Sequence, residues 1–196
     1  MARPKAFDEE AVLQKAVNLF WCRGYEATSV QDLVDCLGIN RASLYDTYGD
    51  KYELYVKALE RYRDTGQSGL CQNMDKSRPA LDLLRDLFTE GIQNSLADPD
   101  QKGCFMVNSA VELAAHDETI GRIVADNQRA FEARLQQVIE RGQQEGTINR
   151  VHSAASLATF LFNTYTGIKV LARTRPEPTA LYGVMNIAMS ALQPSS

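Results

Sequence analysis

Two places in the chain carry reactive side chains at a useful spacing. Cys104 follows the turn-rich stretch Ala97 to Gly103 and opens an apolar segment, with Lys102 close before it. A helix N-terminus and a neighbouring cation both favour the thiolate form of cysteine, which attacks electrophiles and oxidants. Burial as a small hydrophobe is the other reading of the same residue. Glu112 and His116 stand one helical turn apart, a workable spacing for two metal ligands and equally for a solvated polar stripe. We assign no metal and no cofactor. Beyond these, His116 and His152 are the only histidines, and the chain has no glycine-rich phosphate loop, nucleophile elbow or HExxH. Nothing is assembled for catalysis, so an enzyme is not expected.

The elements that must position these residues read as all-α, because no segment alternates apolar and polar residues over strand length. Asp8 is a helix N-cap, and Leu13, Ala16, Val17 and Phe20 recur at helical spacing until Gly24. Thr28 and Gln31 make a capping box for a short helix through Leu33, Val34 and Leu37 that stops at Gly38. Asn40 caps a third short helix, Arg41 to Tyr48, with Leu44 facing inward and Gly49 closing it. Asp50 with Glu53 caps a fourth, whose stripe of Leu54, Tyr55, Ala58, Leu59 and Tyr62 runs to about Gly66. The polar stretch Thr65 to Pro79 reads as a connection, so the expected units are residues 1–65 and 66–196.

In the second unit, Ala80 to Leu96 is amphipathic, Cys104 to His116 is mostly apolar, and a long helix carries Ile120, Ile123, Val124, Asn127, Phe131, Leu135, Val138 and Ile139. Ser156 to Ala172 is apolar on almost every side and must be covered on two faces at once. Leu181, Val184, Met185, Ala188 and Leu192 form the inward stripe of a last helix after two prolines. Two terminal helices of this kind suit a four-helix interface in a homodimer.

The bulk properties bound these readings. The 196 residues are 44% apolar and 23% charged, an ordinary globular balance. No run approaches the roughly 18–20 apolar residues of a membrane span, and Met1 to Phe7 lacks the apolar core of a signal peptide, so a cytoplasmic protein with no membrane partner is expected. Cys22, Cys36, Cys71 and Cys104 are widely spaced, as free thiols are. The net charge of -4 does not predict a nucleic-acid partner, and local geometry must carry any such claim.

That geometry is the strongest local signal: two short helices joined by a glycine turn, flanked by two more helices, all within the first unit. Gly38 allows the positive φ of the turn, and Leu33, Leu37, Ile39 and Leu44 hold the crossing. The residues Gly24-Tyr25-Glu26-Ala27-Thr28-Ser29-Val30, Leu37-Gly38-Ile39 and Ser43-Leu44-Tyr45-Asp46-Thr47-Tyr48-Gly49-Asp50-Lys51 closely resemble the DNA-binding domain of the TetR family. The likeness covers roughly residues 7–63. Beyond it, the chain resembles the family only in helical layout.

The resemblance implies a TetR-like regulator, most simply a repressor: a homodimer bound to palindromic operator DNA through its helix-turn-helix domain and released by a small-molecule or thiol-reactive effector. It places Thr28 and Ser29 at a helix start against a phosphate, with Tyr45, Tyr48 and Lys51 as further contacts. Arg41, Ala42, Ser43 and Thr47 fall on the helix that reaches base edges, where Arg41 is suited to guanine O6 and N7. Asp46 sits on the same helix with its role open, and the basic tail Ala2-Arg3-Pro4-Lys5 is either a groove-binding arm or a solvated terminus. Phe88, Cys104, Phe105, Asn108, Phe160 and Tyr165 are the expected lining of an effector pocket, with core packing as the competing role of each. The alternative from another class is a helical interaction module that never touches DNA, a reading the acidic balance of the first unit favours.

Overall fold

In a computed structural model, residues 7–72 and 78–194 are described. The tail Ala2 to Lys5 and the Cys71 side chain lie outside what is described. Among the described residues all regular structure is helical: α1 (Glu9–Arg23), α2 (Val30–Leu37), α3 (Arg41–Tyr48), α4 (Lys51–Gln72), α5 (Ala80–Ala97), α6 (Phe105–Glu112), α7 (Glu118–Gln144), α8 (Ala154–Thr174) and α9 (Pro178–Ser190). None of these is long and apolar enough to cross a membrane.

The caps explain most of the boundaries. The Asp8 carboxylate accepts from the amides of Glu10 and Ala11, Asn40 from that of Ser43, and Asp50 from that of Glu53. The box on α2 lies one residue later than expected, because Ser29 and Asp32 exchange the two bonds. Thr28 instead turns its hydroxyl inward onto the Gly24 carbonyl at 2.6 Å and is fully buried. Gly38 takes φ 71°, the left-handed backbone that lets α2 and α3 cross after so short a turn. Helix α4 continues past Gly66 to Gln72, so only part of the stretch from Thr65 is a connection.

Two apolar cores result. The first is closed by Phe20, Leu33, Leu37, Leu44, Leu54, Tyr55 and Leu59 from α1 to α4, joined by Phe105 and Met106 of α6 and Ile120 and Ile123 of α7. Each fully buried side chain of this size contributes about 1.5–3 kcal/mol. The second core packs α5, the later part of α7, α8 and α9 around Leu84, Phe88, Ile92, Leu135, Ile139, Leu161, Ile168 and Leu181.

The expectation of two covered faces on α8 is half met within one chain. Leu157, Leu161, Ile168 and Ala172 face the second core, whereas Phe160 and Val170 are exposed. On α9, Leu181, Met185 and Ala188 are buried, but Val184 lies on the outer face beside the exposed Ile187 rather than in the inward stripe. A Cβ placed on Gly167 or Gly183 would meet nothing within 4 Å, so this surface is smooth enough for close approach of a second helix pair.

Candidate functional site

The first face of interest is the outer side of α3. With Leu44 and Tyr48 buried, the eight-residue helix turns Arg41, Ala42, Tyr45 and Asp46 to the surface and leaves Ser43 and Thr47 half-buried. Tyr45 is 43% exposed, which its packing against the core does not require. Ser29 is exposed at the start of α2, with its amide and hydroxyl both donating to the Asp32 carboxylate of the capping box.

Three of the expected contacts have partners inside the domain. The Thr28 hydroxyl is spent on the Gly24 carbonyl inside the domain. Tyr48 is 4% exposed, and its hydroxyl donates to the Glu9 carbonyl at 2.8 Å, which anchors α3 to the start of α1. Lys51 donates to the carbonyls of Tyr25 and Thr28, both at 2.9 Å, with its ammonium 4.1 Å above the Tyr25 ring. It braces the α1–α2 turn through these two carbonyls.

An expected outcome follows for Lys51→Ala. Losing two hydrogen bonds from a charged but half-exposed donor costs about 1–2 kcal/mol, which for a chain of this size lowers the melting temperature by roughly 3–6 °C. Calorimetry of the variant checks this. A full-size drop in the salt slope of DNA binding, by about 2 for the two copies in a dimer, with no change in melting temperature would return Lys51 to the phosphate role.

The second feature is a cavity of about 1000 Å³ open on one side between the two cores. Trp21, Tyr62, Leu84, Leu87, Phe131, Phe162 and Tyr165 give it aromatic and aliphatic walls. Lys169 enters from α8, donating to the Gly91 carbonyl at 2.7 Å and the Ser95 hydroxyl at 2.9 Å. Burial pushes its ammonium below the usual lysine range and holds the Tyr62 and Tyr165 phenols above theirs, an effect the nearby Cys104 reinforces. Gly91 lets α5 and α8 approach closely, since a Cβ there would come within 2.6 Å of the Tyr165 ring.

Cys104 is the N-cap residue of α6 and lines this cavity, with the Tyr62 hydroxyl 3.8 Å from its sulfur. The free thiols Cys22 and Cys36 are exposed elsewhere. Lys102 is not its cationic partner: its ammonium is paired with Asp98 and Asp100 and lies over the Trp21 ring. Lys169 shares the cavity lining with Cys104, as do Lys102, Arg63, Arg78 and Arg134. A smaller recess of about 490 Å³ lies on the other side of the same wall, again lined by Cys104 and Lys169.

These features match known proteins from end to end. Residues 12–58 match the model for bacterial regulatory proteins of the tetR family, and residues 80–188 match that for the tetracyclin repressor-like C-terminal domain. The chain belongs to the TetR family. Its relatives include the uncharacterized HTH-type transcriptional regulator YezE of Bacillus subtilis strain 168, 32% identical over 98% of this chain and 100% of the relative. The HTH-type transcriptional repressor ComR of Escherichia coli strain K12 is 33% identical over 97% of this chain and 90% of its own. Among solved structures, a cysteine mutant of the TetR family transcriptional regulator CifR complexed with 26 bp double-strand operator DNA superposes with a TM-score of 0.86, at 26% identity over 97% of this chain and 100% of that one. As a TetR-family member the protein is a DNA-binding transcriptional regulator and not an enzyme.

Within this TetR-family frame, the residues expected around the effector separate into four groups. Cys104 and Tyr165 line the cavity. Phe88 and Phe105 are each 1% exposed and stand behind the wall, Phe88 edge-on to Tyr165 and Phe105 edge-on to Tyr55 and Tyr62, so they support the lining without forming it. Asn108 lies on the smaller recess, donating to the Lys102 carbonyl and accepting from Arg173. Phe160 is corrected outright: it is 43% exposed on the outer face of α8. Lys169, Trp21 and Phe131 were missed. A lone lysine in the apolar α8 was the available signal for the first.

Glu112 and His116 do not act together. The Glu112 carboxylate accepts from the amides of Tyr25 and Glu26, while His116 is exposed in the turn after α6. Among the described residues no group of three or more metal-ligating side chains is gathered.

Proposed function

We propose that this TetR-family regulator is a cytoplasmic repressor that binds a palindromic operator as a homodimer and is released when an effector enters the cavity beside Cys104. In this reading residues up to about 65 read DNA, and the remainder senses the effector and dimerises. The observation that carries it is the exposed face of α3, where Arg41, Ala42 and Tyr45 stand clear of a core that Leu44 and Tyr48 complete. Base edges are read by such side chains in the major groove, and the exposed start of α2 offers the positive end of a helix to a phosphate. Two of the relatives found, ComR and BdcR of Escherichia coli, are named repressors, and CifR is seen on operator DNA. The exposed apolar residues of α8 and α9 support the homodimer, because a single chain leaves Phe160, Val184 and Ile187 uncovered.

Within the cavity, the thiol at the start of α6 favours a thiol-reactive effector. Addition of the Cys104 thiol across an activated carbon–carbon double bond, with sulfur bonding to one carbon as the π bond breaks and the proton passing to the other, places the new group among Tyr62, Tyr165 and Lys169, in a space already filled on its far side by Phe88 and Phe105. The CifR protein seen on operator DNA carries substituted cysteines, which is in keeping with a thiol that matters to the state of a similar regulator.

The test is a gel-shift titration of the purified protein on the DNA beside its own gene, over a salt series and with N-ethylmaleimide. The expected result is specific, salt-dependent binding, weakened at least tenfold by the reagent in the wild type and unchanged in Cys104→Ser. Binding that the reagent weakens equally in Cys104→Ser removes the thiol from the reading. No shift at any salt favours the interaction module that does not touch DNA.

A further inference from the structure

We infer that Glu112 is the positioning residue through which α6 sets the orientation of the DNA-reading helices. The inference rests on the reading that α3 binds the operator, and it assigns the residue that ties that helix pair to the cavity.

The Glu112 carboxylate accepts from the Tyr25 amide at 3.1 Å through Oε2 and from the Glu26 amide at 2.9 Å through Oε1. These bonds span 87 and 86 residues of sequence. Gly24 makes them possible: at φ 85° it turns the two following amides to one side, and a Cβ there would come within 2.8 Å of Glu112 Oε2. The carboxylate therefore sits directly on a turn that is bare of side chain at its first residue.

The same turn is held from its other side by Lys51 on the carbonyls of Tyr25 and Thr28. Four residues on from Tyr25, Ser29 caps α2, and α2 leads through Gly38 into α3. A cation fixes the carbonyls and an anion fixes the amides, so the entry angle of α2 is set by two charges, one on α4 and one on α6.

Helix α6 is short and rigidly joined to this body. Phe105 and Met106 are buried in the first core, and the Ser109 hydroxyl meets the Tyr55 hydroxyl at 2.7 Å. One end of α6 is Cys104, in the wall of the cavity, and the other is Glu112, on the turn. At about 1.5 Å per residue, a displacement at the thiol end arrives roughly 12 Å away as a displacement of the carboxylate. Just beyond α6, Asp117 receives the Tyr52 hydroxyl at 3.0 Å, a further polar contact between α4 and the N-cap of α7 beside the apolar packing of Phe105 and Met106.

The experiment compares wild type, Glu112→Ala and Glu112→Gln as full-length dimers on the operator and on operators with one or two base pairs inserted between half-sites, each with and without N-ethylmaleimide. Thermal unfolding and sedimentation report fold and dimerisation. If Glu112 sets the orientation, Glu112→Ala tolerates the wrong spacing: the affinity penalty of the two-base-pair insertion shrinks at least threefold relative to wild type. Glu112→Gln, which keeps the length and one acceptor oxygen, falls between. Loss of stability alone weakens all operators equally and leaves that penalty unchanged, a result that overturns the assignment.

The reagent arm separates the inference from the reading beneath it. Wild type released by the reagent and Glu112→Ala released by the same factor also overturns it, with the cavity reading intact. Wild type that is alkylated and not released sinks the thiol reading, and the spacing penalty still decides Glu112. A wild type that binds no operator sinks both.

Discussion

Replacing Arg41 by alanine is expected to lower operator affinity between about 30-fold and about 10⁴-fold while leaving the fold intact. Arg41 is the first residue of α3, exposed, and outside the core that holds the helix in place. A guanidinium at this position offers two parallel donors to guanine O6 and N7, and one such bidentate contact is worth about 1–3 kcal/mol of discrimination. A dimer on a palindrome makes it twice, giving roughly 2–6 kcal/mol, which spans that range at about 1.4 kcal/mol per tenfold. The loss should fall on the specific sequence and little on random DNA, because phosphate contacts are untouched. Competition titrations against operator and non-specific duplex check this, with circular dichroism as the control. Equal loss on both duplexes would place Arg41 on the backbone instead.

The second large effect is expected from Ile187→Glu. Ile187 is 71% exposed in one chain and stands with Val184 at 38% and Phe160 at 43% on the outer face formed by α8 and α9. If a second copy covers this face, the substitution drives two carboxylates into an apolar contact across the two-fold axis, each without a partner. Sedimentation velocity at micromolar concentration should then show a monomer where the wild type is a dimer. Operator affinity should drop by about 10²-fold or more, since each half-site is bound alone and the gain from linked binding vanishes. The melting temperature should fall and lose its dependence on protein concentration. A variant that stays dimeric would move the interface elsewhere.

How far the sequence carries differs from element to element. The caps at Asp8, Asn40 and Asp50 and the turn at Gly38 are local signals, and each sits where local chemistry puts it. The α2 cap was displaced by one residue because Thr28-x-x-Gln31 and Ser29-x-x-Asp32 overlap, and only the inward turn of Thr28 onto Gly24 separates them. On an eight-residue helix, pattern does not say which aromatic residue faces in, so Tyr45 and Tyr48 looked alike until packing buried one. The two-sided character of α8 was legible, but not that Phe160 would take the outer side. Lys51 and Glu112 were harder still. Their partners are backbone groups 23 to 87 residues away, and a carbonyl or an amide carries no residue type for a pattern to register.

The first core has a bearing on how such a regulator can be taken apart. Phe105, Met106, Ile120 and Ile123 complete the packing around Phe20 and Tyr55, although they come from the part of the chain proposed to sense and dimerise. An excised fragment ending near residue 65 would carry an uncovered apolar hollow where α6 and the start of α7 had been. Chimaeras that graft a new DNA-reading segment onto this sensor therefore inherit a compatibility condition: the donor's α1 and α4 must fit the host's α6. Portability of the operator specificity is greatest for the outer face of α3, where exchange of a few side chains disturbs nothing beneath them.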